Sequence, residues 1–577
     1  AGCRHPTAFP PGRSSPAITR HPFRHPSKLG LENTGFAMAT PAIRSSGLRP
    51  AKLHPNATRR PVVVPFTTSP CPAGRKLSLR QRIAVPLRKL SVASLLKDAS
   101  DRGQVEPGDV ACSCSAAPAP QSEPQVLWKT LARTVALPLA LGVAFMAVIG
   151  AGPAMAGAKP VLVPMPNPSD TCWILISTAL VLFMTIPGLS AFYAGIVKVK
   201  NSVSVLMQCF SLTCIISVLW FAVGYSLSFS EMGNSVIGGL DKSFLAGITK
   251  TSLWETIPEA LWALYQMTFA IITPALMVGS FVERMKFSAV MWYCVLWMFA
   301  VYFPACHMVW GPNGFMAAHG VLDFAGGIVV HITAGIGALV GCAVLGPRKD
   351  NRMVTGNLLL TVLGTGMLWV GWYGFNGGSA LTASADAAFA CLATQLAAAT
   401  AAAVWSLQDI VMNGKASMLG IATGSIAGLA TITPCAGFVG PVGAVFLGVC
   451  AGVVCRFFAI HIKEWIKYDD SLDVFGVHGV GGFLGTCLLG VAASPVLGGF
   501  NTVPMLTQST IQVTAAVATS IYTAVASLLC LKMTAVVCGG IRVPDDAEEE
   551  GLDSYSHGES SYDFDDMDAE LPVPKAA

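Results

Sequence analysis

Charge is the first thing this chain lacks. Only 12% of its 577 residues are Asp, Glu, Lys or Arg, about half the share of a soluble domain. With 53% hydrophobic residues and a mean hydropathy of +0.59, that scarcity excludes an ordinary soluble protein and indicates a polytopic membrane protein. Clustered metal ligands are also missing. The 17 cysteines mostly stand singly in apolar stretches, as Cys209, Cys214, Cys294, Cys391 and Cys450 do, where a thiol packs as a small hydrophobe. Cys112-Ser-Cys114 has no second pair to complete a zinc site. There is no phosphate loop and no nucleophile–base pair. The sequence therefore supports neither an enzyme, a cofactor, a disulfide framework nor a nucleic-acid partner. The net charge of +5 conceals a basic start and an acidic end and says little about partners.

Acids are absent from the first residues: none precedes Glu32, and none follows it until Asp98. Residues 1–127 are rich in Arg, Ser, Pro and Ala without helical or strand periodicity, the composition of an organelle transit peptide. The plain alternative is a disordered basic tail. Residues 128–157 follow with Lys129 and Arg133, an apolar core and Ala154-Met155-Ala156, the layout of a secretory-type signal. In tandem the two resemble a bipartite plastid presequence, a long leader on a plasma-membrane protein being the rival.

From Thr171 the chain reads as apolar stretches long enough to cross a ~30 Å hydrocarbon core. Eleven are expected, near 172–197, 202–228, 256–281, 287–311, 324–346, 354–375, 386–412, 416–433, 439–461, 475–493 and 510–539. Basic residues follow alternate spans: Lys198 and Lys200, Arg284 and Lys286, Arg348, Lys349 and Arg352, Lys415, then Lys463 and Lys467. The positive-inside rule then places the N-terminus outside and the acidic tail, 541–577, inside. Ten spans divide into two sets of five, and odd-numbered repeats must be inverted relative to each other. The expected fold is thus an all-α membrane protein with two inverted five-helix repeats plus one further helix, and a site at the repeat interface.

Two histidines mark that interface. His331 and His478 lie in the last span of each set, 147 residues apart, each after a Gly-rich or Gly-containing entry and a valine. An ionisable group at membrane depth is costly and usually marks a transport path. A lone histidine would more simply satisfy a backbone group in a packed interior, but two at matched positions suggest a paired site.

Several stretches in order resemble the ammonium transporter (Amt/MEP/Rh) family from about Thr171 to Tyr562: LVLFMTIPGLSAFYAGIVKVKN, ERMKFSAVMW, HMVWGPNGF, HGVLDFAGGIVVHI, GWYGFNGGSA, DDSLDVFGVHGVGGFLG and IRVPDDAEEEGLDSYSHGESSY. The resemblance covers the expected transmembrane domain, 171–540, and the tail. It implies transport of ammonium or methylammonium, and a homotrimer in membrane lipid with one pore per subunit. Trp310, Ser379 and Phe269 resemble the family's outer recruitment site, with Tyr265 a further aromatic lining residue. Phe269 and Phe375 resemble its stacked pore gate, and His331 and His478 its proton-relaying pair. Asp323 resembles a family carboxylate at the head of the fifth span. It either stabilises the vestibule or only caps a helix. Trp310 together with Ser379 indicates the Amt branch rather than the Rhesus branch. An ammonium sensor and a Rhesus-type neutral ammonia channel are the alternatives. The tail resembles the regulatory C-terminus, on whose face bacterial members dock a PII-type signalling protein, while YDFDDMDAELPVPKAA departs from the compact bacterial ending. Ser554, Ser556, Ser560 and Ser561 are expected to be exposed and open to phosphorylation.

Overall fold

A computed structural model of the chain describes residues 165–562, Met353 excepted. The expected leader, 1–127, the apolar segment 128–157 and the last fifteen residues lie outside the described residues. Among the described residues, ten helices are long and apolar enough to cross a membrane. These are α1 Pro168–Ile196, α2 Val199–Phe229, α3 Glu259–Phe281, α4 Phe287–Ala318, α5 Gly327–Leu345, α6 Leu358–Gly377, α7 Ala385–Asn413, α9 Pro441–Ile466, α10 Phe475–Ala492 and α11 Met505–Cys538. Between α7 and α9 lies α8, Met418–Ile432, which has only 15 residues. At 1.5 Å per residue it spans about 22 Å, short of the hydrocarbon thickness. Helices therefore form at all eleven expected places, but the eighth is not long enough to cross by itself. A two-stranded ribbon, β1 Leu253–Trp254 against β2 Ile257–Pro258, leads into α3.

The helices sort by what they must face. α3 packs against α1, α2 and α5 and is buried at nearly every position along its length. α11 is polar inside and apolar outside. Its buried stripe is Gln508, Gln512, Ala515, Ala516, Thr519, Thr523, Ser527, Cys530, Leu531 and Thr534, at helical spacing. Its exposed face carries Val513, Val517, Ile521, Val525 and Leu529. A helix against lipid has no reason to hide its apolar residues, and small or hydroxylated ones permit close packing. The same logic joins α7 to α8: a Cβ on Gly428 would come within 2.5 Å of the Ala397 carbonyl.

α5 and α10 are built alike and start at opposite ends of the bundle. Each opens on a wide turn, Gly327–Ile332 and Phe475–Gly479, and each turn contains a histidine. An aspartate stands eight residues before each. The Asp323 carboxylate accepts N–H bonds from Gly326, Gly327, Ile328 and Val329 at 2.6–3.1 Å, satisfying the orphan donors of a helix start. Asp470 accepts the Phe475 N–H at 2.7 Å and the Ser280 hydroxyl at 2.5 Å. The two helices cross where a Cβ on Gly335 would lie 2.2 Å from the Gly479 Cα.

Candidate functional site

The end of α6 and the end of α4 meet at one end of the bundle. Trp310 ends the long helical run of α4, just before Gly311, and its indole N–H donates to the Asp323 carbonyl at 2.8 Å. The Ser379 hydroxyl donates to the Phe375 carbonyl at 2.8 Å, and its oxygen lies 3.3 Å from the Tyr265 hydroxyl. With its single proton spent, Ser379 presents lone pairs, which suit an N–H donor rather than a bare cation. Tyr265 also reaches the Gly374 and Phe375 carbonyls at 3.0 and 3.1 Å.

Beneath these groups Phe269 and Phe375 stack with ring centroids 4.3 Å apart and an interplanar angle of 30°. Phe269 meets Trp310 edge-on at 6.0 Å and Tyr265 at 5.0 Å. Both phenylalanines are buried. On the far side of the pair, His331 lies 6.0 Å from Phe375 between centroids. The His331 and His478 Nδ1 atoms are 3.3 Å apart, within hydrogen-bond reach, and both side chains are buried. The two rings line a cavity of about 10 Å³ whose other walls include Ile272, Leu276, Leu368 and Ile426. That volume holds roughly one water-sized molecule.

The structure thus brings Trp310, Ser379, Tyr265, Phe269, Phe375, His331 and His478 into one column. Asp323 stands beside it as the cap of α5, and its carbonyl also orients Trp310. Three participants were not foreseen. Trp372 stacks on His331 at 5.6 Å and donates its indole N–H to Thr433 at 2.9 Å. Thr433 Oγ1 lies 3.3 Å from His331 Nε2. Asp470 is the third, and the shared eight-residue spacing from aspartate to histidine in D-F-A-G-G and D-D-S-L-D is the signal that could have found it.

At the opposite end, the basic loops after α1, α3 and α5 gather around the tail. Arg348 bonds Glu283 at 2.7 Å and Asp469 at 2.8 Å, and the fully buried Arg284 donates to the Asp469 carbonyl and to Ser471. Burial by itself would push the Asp469 carboxyl up. The hydrogen bonds and charge of Arg348, with Arg284 beyond, outweigh it and hold that carboxyl below its ordinary range. The tail docks by Val543 N–H to the Arg284 carbonyl, Leu552 N–H to Asn201, and Asp553 accepting from Val203 and Ser204. Ser554, Ser556 and Ser560 are exposed. Ser561, expected among them, is instead partly buried and donates to the Val199 carbonyl, because the chain folds back against the start of α2.

An apolar column within a helical bundle, with stacked phenyl rings above a buried imidazole pair, is the framework of a membrane transport protein. The chain matches the model of the Ammonium Transporter Family over residues 172–562. It is 44% identical to the ammonium transporter of Aquifex aeolicus, the match covering 68% of this chain and 93% of that protein. It is 37% identical to ammonium transporter 1 of Dictyostelium discoideum, over 69% and 88%. The solved structure of Candida albicans Mep2 superposes with a TM-score of 0.62 at 34% identity, over 67% of this chain and 89% of that one. A structure described as a sensor Amt protein aligns with a TM-score of 0.62 at 26% identity, over 67% and 98%. The chain belongs to the ammonium transporter family. It is a multi-pass integral membrane protein, and its family is one of transporters.

Proposed function

We propose that this protein transports ammonium, or its analogue methylammonium, by recruiting the cation, stripping its proton and passing ammonia and proton separately. The single observation that carries the reading is the 3.3 Å contact between His331 and His478 directly behind the Phe269–Phe375 stack. An intact cation faces a Born penalty of tens of kcal/mol in such surroundings. Neutral ammonia does not, and it has the size of the cavity. At the mouth, the face of Trp310 attracts a cation by ~2 kcal/mol or more when desolvated, and Ser379 accepts one of its N–H groups. K⁺ has no proton to give Ser379. The stacked phenyl rings exclude hydrated ions. The imidazole pair carries the proton, because each ring nitrogen can donate or accept.

The oriented whole is an N-outside, C-inside protein, since the basic loops lie at the tail's end of the bundle. The working unit is a homotrimer in lipid, with the tail as a regulatory element on the face where a PII-type protein would meet it. The membrane is read as a plastid one from the leader's composition, with the plasma membrane as the alternative that a fluorescent fusion distinguishes.

The test is ammonium-evoked current in proteoliposomes, wild type against the double variant His331→Ala/His478→Ala. A saturable wild-type current lost in the double variant is expected. No wild-type current, with ammonia-driven alkalinisation intact, would leave a neutral-gas channel. Sensing is a second reading, favoured by the likeness to the sensor Amt protein. A wild-type protein that binds ammonium and shifts its tail without either flux would establish it.

A further inference from the structure

We infer that Thr433 polarises the histidine pair, holding His331 as the Nε2–H tautomer and leaving the pair's bare acceptor on His478 Nε2. The inference rests on the relay reading above and follows from counting protons around one hydroxyl. Thr433 Oγ1 has one hydrogen and two lone pairs. Its hydrogen goes to the Leu429 carbonyl at 2.8 Å. One lone pair accepts the Trp372 indole N–H at 2.9 Å, a group that is a donor only. The remaining contact is His331 Nε2 at 3.3 Å, and the hydroxyl has only a lone pair left to offer it. Nε2 must therefore carry a hydrogen. A neutral imidazole has one N–H, so His331 Nδ1 is bare. It accepts across the 3.3 Å contact from His478 Nδ1, which in turn must be the protonated one. Among the described residues His478 Nε2 has no hydrogen-bond partner, and His478 lines the cavity.

The surroundings leave no substitute for Thr433. Thr433 and His331 are 0% and 1% exposed, and Trp372 is 2% exposed. Trp372 also lies nearly parallel to the His331 ring, 5.6 Å away with an interplanar angle of 24°, so the residue that occupies the threonine's lone pair also limits rotation of the imidazole. Gly482, four residues after His478, packs its Cα side onto the His331 Cβ, which a methyl there would approach to 2.7 Å.

The consequence is an order of steps. In the resting pair a proton can enter only at His478 Nε2, where a new N–H bond forms. The His478 Nδ1–H bond then breaks as a His331 Nδ1–H bond forms. His331, now doubly protonated, gives up its Nε2 proton to an ammonia or water molecule once the Nε2–H bond to Thr433 opens. Transfer from the gate side needs the reversed tautomers, with His331 Nε2 bare against a hydroxyl oxygen that has no hydrogen to give it. Thr433 is thus a positioning residue that makes reversal of the pair a separate step of every transport cycle, since each transfer leaves the tautomers exchanged.

The test is ¹⁵N NMR of the full chain, histidine-labelled in liposomes, with signals assigned by their loss in His331→Asn and His478→Asn. Wild type should show His331 protonated at Nε2 and His478 at Nδ1. Thr433→Val removes the hydroxyl and keeps the shape. It should shift the tautomer ratio on the order of tenfold toward the reverse, as loss of one net hydrogen bond implies. Thr433→Ser should restore the wild-type spectrum. In proteoliposomes, the maximal ammonium current should rise severalfold in Thr433→Val and not in Thr433→Ser. A wild-type His331 protonated at Nδ1 overturns the assignment even if the valine variant fails to assemble. So does a valine variant with unchanged tautomers, and an unchanged maximal current overturns reversal as a separate step of the cycle. Absence of any wild-type ammonium flux with the tautomers as stated would instead defeat the transport reading alone.

Discussion

At the scale of single residues, the proposed recruitment site rests on a count of donors and acceptors. Ser379 has given its proton to the Phe375 carbonyl, so what it offers the lumen is a lone pair. Ser379→Ala should raise the half-saturating ammonium concentration about fivefold, the effect of losing one hydrogen bond of ~1 kcal/mol, with little change in maximal current. A concentration series in proteoliposomes reads both. An unaltered half-saturation would remove Ser379 from recruitment. Trp310, Ser379 and Phe375 are nameable from the sequence because their short motifs carry them. Thr433 is not, since a hydroxyl 102 residues from His331 enters the site only through the fold.

At the scale of elements, two devices hold the histidine helices. Asp323 serves four backbone donors at the start of α5. Asp323→Asn keeps one acceptor oxygen but loses the charge and half the acceptor capacity. It should destabilise the protein by roughly 1–3 kcal/mol, visible as a lower melting temperature. The second device is the crossing of α5 and α10. A methyl at Gly335 would stand 2.2 Å from the Gly479 Cα and 3.2 Å from the His478 carbonyl carbon, backbone that cannot step aside. Gly335→Ala should cost about 1–3 kcal/mol by overpacking and abolish ammonium current by separating the imidazoles. A variant that folds and conducts like wild type would show the crossing to be slack. Helical periodicity and glycine content announce close packing, but which glycine meets which histidine is a tertiary fact.

At the scale of the whole molecule, the two ends of the bundle have different tasks. One end gathers aromatic rings and hydroxyls. The other gathers buried ion pairs and the tail, with Asp469 joined to Arg348 and Arg284. The folded Asp469 carboxyl lies below its ordinary value, so its contribution to stability is fully present above the unfolded carboxyl range, ~3.9. It is lost as pH falls through the lower, folded value. Melting temperature should therefore be insensitive to this group from pH 7 to about pH 5 and fall below ~pH 4. Asp469→Asn should be less stable at pH 7 and show less of that acid-dependent loss. A wild type and variant that fall in parallel would exclude Asp469 as the source. The tail's docking at the same end adds the contacts of Leu552 and Asp553 with Asn201, Val203 and Ser204, over sequence separations that no local pattern reports.

Composition and apolar length were enough to determine a helical membrane protein, the places of its helices and the pairing of two histidines, because those properties depend on the cost of burying charge and backbone in lipid. The length of α8 was not legible, since apolar character continues past Ile432 into the turn that carries Thr433. Only the tertiary structure decided that the imidazoles touch through Nδ1, that Asp470 repeats Asp323, and that a threonine with one hydrogen and an indole neighbour governs which nitrogen is bare. Hydrogen bonds are directional and short-ranged, so their partners are chosen by where helices distant in sequence cross.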